Sequence, residues 1–249
     1  MVGAYEAGIP AGRRYSSIVG TDADFPDDIP YSRGTPQPAR PERVERTGIA
    51  AVAVAAIRLV VPVVLLLTTF VASYLYNDTR LAALGIPADG LTLGYLLLPT
   101  TFFAIQLTNR RYGPAYAFAQ LVASWVIAIA GLVLARIYVP DLDLPNPFPD
   151  GRVLVAFAAG LFLAQITAII VFDGTRGPRW WSAPLFSSLW GAIVFCGIFF
   201  PAAFLGRSGL WLNDMLIDLG LMAGMGIVLM LPYWLLRPLV RPLPGYGGY

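Results

Sequence analysis

Six apolar stretches punctuate the chain, near 49–76, 91–108, 114–138, 153–172, 180–205 and 210–236. Each approaches or exceeds the roughly 20 residues that a helix rising 1.5 Å per residue needs to cross about 30 Å of hydrocarbon. Inside lipid a backbone has no water to bond, so a spanning segment must satisfy its own N–H and C=O groups. Helices do this within one segment, and these runs lack the short alternation of barrel strands. Polar or Pro/Gly-bearing breaks separate them: Asn77-Asp78 and 87–90, Asn109 to Gly113, Pro140 to Gly151, Asp173 to Arg179, and Gly206 to Gly209. The expectation is an all-α fold, a polytopic membrane bundle of six transmembrane helices over 48–237. A polar N-terminal extension occupies 1–47 and a short Pro/Gly-rich tail 238–249.

Composition excludes water as the main solvent. Of 249 residues 57% are apolar and 13% charged, against about a quarter charged in a soluble domain. A soluble globular enzyme is thereby excluded. The extension differs from the rest: it carries Asp22, Asp24, Asp27 and Asp28, then Arg33, Arg40, Arg43 and Arg46. It cannot bury a core of its own and is expected to serve as a partner-binding arm. Signal peptides place their apolar region within about the first 30 residues. Here the first such run begins near Ile49, so the first span is expected to stay in the mature protein. Ten arginines (those four with Arg110, Arg111, Arg176, Arg179, Arg237 and Arg241) flank one side of the spans, and four (Arg80, Arg136, Arg152, Arg207) the other. Basic residues are retained in the cytoplasm, so both termini are expected there.

All seventeen basic residues are Arg, and Lys and His are absent. That removes imidazole acid–base catalysis, imidazole ligation of haem, chlorophyll, zinc or iron, and lysine Schiff bases. Cys196 is the single cysteine; no intrachain disulfide can form, and its apolar setting reads as a buried, inert thiol. A net charge of +2 gives no nucleic-acid partner. No P-loop, Gly-rich nucleotide loop, nucleophile elbow or metal-ligand cluster occurs, so no enzyme, cofactor or metal site is expected, only structural lipids.

Candidate contacts remain within the spans. Ala156, Gly160, Ala164 and Ala168 fall on one stripe of the fourth span, and Gly220 and Gly224 share one on the sixth. Both stripes let another backbone approach closely, within the bundle or on a partner subunit. Asp214 and Asp218 share a face near the outer end of the sixth span; Asp218 lies a turn deeper, where a carboxylate serves function or pairs with an Arg. Arg58 marks either the interface boundary or a charge needing a partner. Gln106, Gln120, Ser124, Gln165, Thr167, Ser187 and Ser188 are the sparse uncharged polar groups, suited to interhelical hydrogen bonds. Trp180, Trp181, Trp211 and Trp234 read as interface anchors.

Several segments resemble the vitamin uptake transporter family, which includes the queuosine precursor transporters of bacterial inner membranes. The likeness runs from about Ala72 to Tyr233. It rests on Pro99-Thr100-Thr101-Phe102, on Leu107-Thr108-Asn109-Arg110-Arg111-Tyr112-Gly113, and on Arg152 and Gln165. Arg179-Trp180-Trp181, Ser187, Leu189, Gly191 and Leu231-Pro232-Tyr233 complete it. The resemblance implies a bacterial cytoplasmic membrane and uptake of a small heterocycle, with Gln106, Asn109, Gln165 and Asp218 as substrate contacts. The departures fall on polar groups that such a substrate needs. Gln106 stands in place of an acid, Arg110 in place of Glu, Ala168 of Asp, Ala192 and Phe195 of Asn and Asp, and Met222 of Lys. The expected function is therefore a non-catalytic membrane subunit on a transporter-derived scaffold, an accessory component held among other membrane subunits. Photosynthetic and respiratory assemblies are natural hosts, and secondary transport is the alternative.

Overall fold

A computed structural model describes residues 48–81, 85, 91–139, 148, 150–207 and 211–243. The partner-binding arm expected over 1–47 and the end of the tail, 244–249, lie outside the described residues.

The described chain is helical. Its elements are α1 (Gly48–Leu75), α2 (Leu93–Leu97), α3 (Pro99–Tyr112), α4 (Pro114–Tyr138), α5 (Gly151–Gly174), α6 (Ser182–Phe204), α7 (Trp211–Val228) and α8 (Met230–Leu236), with a 3-10 turn at Tyr76–Asp78. Five segments are long and apolar enough to cross a membrane: Val52–Leu75, Pro114–Tyr138, Gly151–Gly174, Ser182–Phe204 and Trp211–Leu236. These are the features of a multi-pass membrane protein.

The second apolar stretch departs from the expected continuous span, because it is split into α2 and α3 at Leu98. Pro99 has no N–H to give Tyr95, whose carbonyl instead accepts the Leu98 N–H at 3.1 Å in a tighter turn. The hydroxyls of Thr100 and Thr101 then donate to the Leu97 and Leu98 carbonyls at 2.6 and 2.7 Å. The Thr-Thr pair thus adds side-chain donors to two carbonyls at the break, of which Leu98 also accepts the Thr101 N–H at 2.9 Å.

Helices in lipid gain little from burying apolar surface, so close packing and interhelical hydrogen bonds hold them together. The small-residue stripe of α5 shows how. Ala156, Gly160, Ala164 and Ala168 are all buried, and a Cβ on Gly160 would lie 3.3 Å from both the Phe199 backbone nitrogen and its Cβ on α6. Gly220 and Gly224 behave otherwise. Both are exposed, and a Cβ on either would meet nothing within 4 Å, so they make no packing surface within the described bundle. Arg58 lies half-buried within a continuous α1.

One end of the bundle is sewn together by polar contacts. Asp150 caps α5, its Oδ1 accepting the Val153 N–H at 3.0 Å, while Oδ2 takes Arg207 at 2.7 Å. First that amide and then the guanidinium hold the exposed carboxyl below its ordinary range. Arg152 donates to the Ala202 and Leu205 carbonyls at 2.7 and 2.9 Å, closing the C-terminus of α6. Nearby strands of chain meet tightly: the Ser73 hydroxyl donates to the Gly94 carbonyl at 2.8 Å, and Thr92 to Asn77 Oδ1 at 2.7 Å.

Candidate functional site

α3 is the most polar of the long helices and among the most enclosed, packing against α1, α4, α5 and α6. Lipid would leave its side chains unbonded, so neighbouring helices supply the partners. Gln106 Nε2 donates toward Ser188 Oγ at 2.9 Å, and toward Ser187 Oγ and the Pro184 carbonyl at 3.2 Å each. Ser187 in turn donates to the Ala168 carbonyl at 2.8 Å. One turn on, Asn109 Nδ2 donates to the Ile169 carbonyl at 3.0 Å, and Arg176 Nη2 donates to both the Asn109 carbonyl and Oδ1 at 2.6 Å.

A second seam joins α4 to α1 and α5. Trp125 Nε1 donates to Gln165 Oε1 at 2.7 Å, and Gln120 Nε2 to the Pro62 carbonyl at 2.8 Å. Gln120 Oε1, Ser124 Oγ and Gln165 Nε2 are buried without a hydrogen-bond partner.

Asp218 forms a third place. It is fully buried on α7. Its Oδ2 accepts from the Cys196 thiol at 3.6 Å, Met222 Sδ lies 4.0 Å from that sulfur, and Oδ1 has no hydrogen bond. Tyr95, Phe157, Phe195 and Phe199 pack together in the same cluster, with centroid distances of 5.6 Å for Phe157 to Phe195 and 5.8 Å for Tyr95 to Phe199. Asp214 is half-buried nearer the start of α7.

The four candidate contacts thus fall into different settings. Gln106 and Asn109 share α3 and look toward α6 and α5; Gln165 faces Trp125 on α4; Asp218 sits beside Cys196. Their bonded polar atoms are turned to neighbouring side chains and, for Gln106 and Asn109, also to helix carbonyls, while Gln165 Nε2 and Asp218 Oδ1 have no hydrogen bond. Among the described residues no three His, Cys, Asp or Glu side chains gather as a metal site. Sequence reasoning did not single out Trp125 or pair Arg176 with Asn109. An indole N–H in an apolar run requires an acceptor, and that was the available signal for the first. The second pairing spans 67 positions and has no local signature.

Away from Asp150, the ends of α3, α5 and α8 and the start of α6 form two adjoining clefts. One, of about 280 Å³, is lined by Arg110, Arg176, Arg179, Trp180, Phe172, Ala183 and Tyr233. The other, of about 510 Å³, shares Arg110 and adds Trp234, Leu235, Arg237 and Arg241. Of the four tryptophans read as anchors, Trp180, Trp181 and Trp211 are half-buried and Trp234 is exposed. Arg110 Nε donates to the Val240 carbonyl at 3.0 Å, tying α3 to the segment after α8.

Comparison of the chain with protein-family models, curated proteins and solved structures finds no match.

Proposed function

We propose that this protein is a non-catalytic subunit of a bacterial cytoplasmic-membrane assembly. It is built on a scaffold resembling the vitamin uptake transporters and has lost their passage for a polar substrate. The observation that carries the reading is the aromatic packing of Tyr95, Phe157, Phe195 and Phe199 between α2, α5 and α6. It is supported by the way Gln106, Asn109 and Gln165 bond mainly within the bundle. A polar solute must be offered replacements for its water contacts, and Gln106 and Asn109, already bonded to serines, helix carbonyls and Arg176, offer few.

In this reading the chain crosses the membrane six times, with α2 and α3 together forming the second crossing. Both termini are cytoplasmic, residues 1–47 reach for a partner, and outward-facing Gly220 and Gly224 offer a seam to another membrane helix. Photosynthetic or respiratory complexes suit a small helical subunit of this kind.

Transport is the second reading, favoured by the buried, unpaired Oδ1 of Asp218 beside the broken α2–α3 segment. One experiment separates the two: expression in a strain that neither makes nor imports queuosine precursors. The scaffold reading expects unmodified tRNA and a chain that migrates with fixed partner subunits after gentle extraction. Queuosine in the tRNA, lost again in Asp218→Asn, would establish transport.

A further inference from the structure

We propose that the adjoining clefts that share Arg110, one lined by Arg176 and Arg179 and the other by Arg237, bind the phosphate of an anionic phospholipid. The inference stands for a scaffold or a carrier alike.

Three separated parts of the chain bring these cations together: the end of α3, the turn between α5 and α6, and the end of α8. Among the described residues, the carboxylate paired with them is Asp173, 3.0 Å from Arg176. Four guanidiniums therefore meet one acid. Arg176 is also deep, its side chain 12% exposed. Cations crowded at the edge of a low-dielectric bundle repel one another, and an anion placed between them relieves that repulsion.

What the sequence sets beside these arginines is aromatic. Arg110 lies over Tyr233 at 5.9 Å, Arg237 over Trp180 at 5.8 Å, and Arg176 over Phe172 at 5.3 Å. Stacking occupies the flat face of a guanidinium. The N–H donors lie in its plane; Arg110 gives Nε to Val240 and Arg176 is engaged by Asn109 and Asp173, so the pairs a phosphate takes are chiefly those of Arg179 and Arg237. Such a site prefers two acceptor oxygens with a full negative charge to a neutral polar group.

The walls select an amphiphile over a free anion. Phe172 and Ala183 line the same cleft as Arg110, Arg176 and Arg179. The adjoining cleft, lined by Trp234 and Leu235, gives an apolar bed beside the same Arg110. Trp180, Trp181 and Trp234 mark the level at which aromatic side chains meet lipid headgroups. Basic pockets between membrane helices at such a level suit anionic headgroups. Because Arg110 serves both clefts, a headgroup with two phosphates has room to engage both.

The test is native mass spectrometry of the full chain, delipidated in a non-ionic detergent. It is titrated with diphosphatidylglycerol, phosphatidylglycerol, zwitterionic phosphatidylcholine and inorganic phosphate. Both anionic lipids should bind more tightly than phosphatidylcholine. Arg179→Gln and Arg237→Gln should each weaken them about fivefold, the loss of one arginine's attraction, while Arg207→Gln at the far end should not. Arg110 is left intact because it holds the segment after α8, and circular dichroism confirms that each variant is folded. Equal binding of anionic and zwitterionic lipid, or unchanged binding in both cleft variants, overturns the proposal. So does inorganic phosphate binding as tightly as lipid with the same variant sensitivity, which would make the site one for a free anion.

Discussion

The two ends of the bundle use the same residue type in opposite ways. At the Asp150 end, Arg152 closes the carbonyls of α6 and Arg207 is matched to Asp150 at 2.7 Å. At the other end, Arg110, Arg176, Arg179 and Arg237 gather about two adjoining clefts with Asp173 as the acid paired among them in the described residues, and aromatic rings take the place of further carboxylates. Arginine stabilises where its donors are matched locally. Where guanidiniums outnumber the acids beside them, they raise a positive potential held against their own repulsion, which suits something negative from outside. The first end is therefore expected to be sensitive to mutation, and the second tolerant of it.

The largest effect is expected at Gly94→Val. A Cβ there would overlap the Ser73 carbonyl oxygen and crowd the Asn77 backbone. Backbone on both sides must move, costing about 3 kcal/mol or more, read as a fall in thermal unfolding temperature or loss of a monodisperse peak in detergent. Stability unchanged by this substitution would break the contrast between the ends.

Arg152→Ala should cost about 1 kcal/mol, since it frees two carbonyls at an exposed helix end. Arg237→Ala, by contrast, should stay within about 0.5 kcal/mol of the parent. Equal losses in equilibrium unfolding would mean that the second end is sewn as tightly as the first.

Acid should sharpen the contrast further. The Asp150 carboxyl is lowered from 3.8, first by the Val153 amide and then by Arg207. A lowered group stabilises fully above its unfolded value and loses that contribution as pH falls through its folded value. Thermal stability should thus decline below about pH 4. Asp150→Asn keeps an N-cap and removes the charge, so its melting temperature should decline less over that range. The smallest effect is expected for Arg179→Gln, whose melting temperature should equal the parent's or exceed it slightly as like-charge repulsion falls.

The apolar runs made most of the helices legible. Residues 114–138 coincide with α4, and 153–172 lie inside α5, because a segment that must close its own hydrogen bonds in lipid has little other form available. Pro99 was visible yet read through. An apolar average over 91–108 conceals where one missing N–H ends a helix, and the Thr hydroxyls that donate to carbonyls at the break look like ordinary polar substitutions. The stripe on α5 and the pair Gly220–Gly224 look alike as spacing, but only the first faces a neighbour; which side of a helix looks inward depends on helices far away in sequence. The same holds for Asn109 with Arg176 and for Trp125 with Gln165. The arginine excess at one side could be counted from the sequence. Its gathering about two adjoining clefts required the ends of α3, α5 and α8 to meet.

α3 bears on how this protein reaches its final state. With Gln106, Thr108 and Asn109 along it, the segment is a poor passenger for hydrocarbon on its own. The residues that take up its amides, Ser187, Ser188 and Arg176, are synthesised some seventy to eighty positions later. Until those residues are made, the Gln106 and Asn109 side chains lack these partners. The bundle can therefore be completed only after its fifth long helix, α6, arrives, and a chain cut short before Ser182 would be a substrate for membrane proteases.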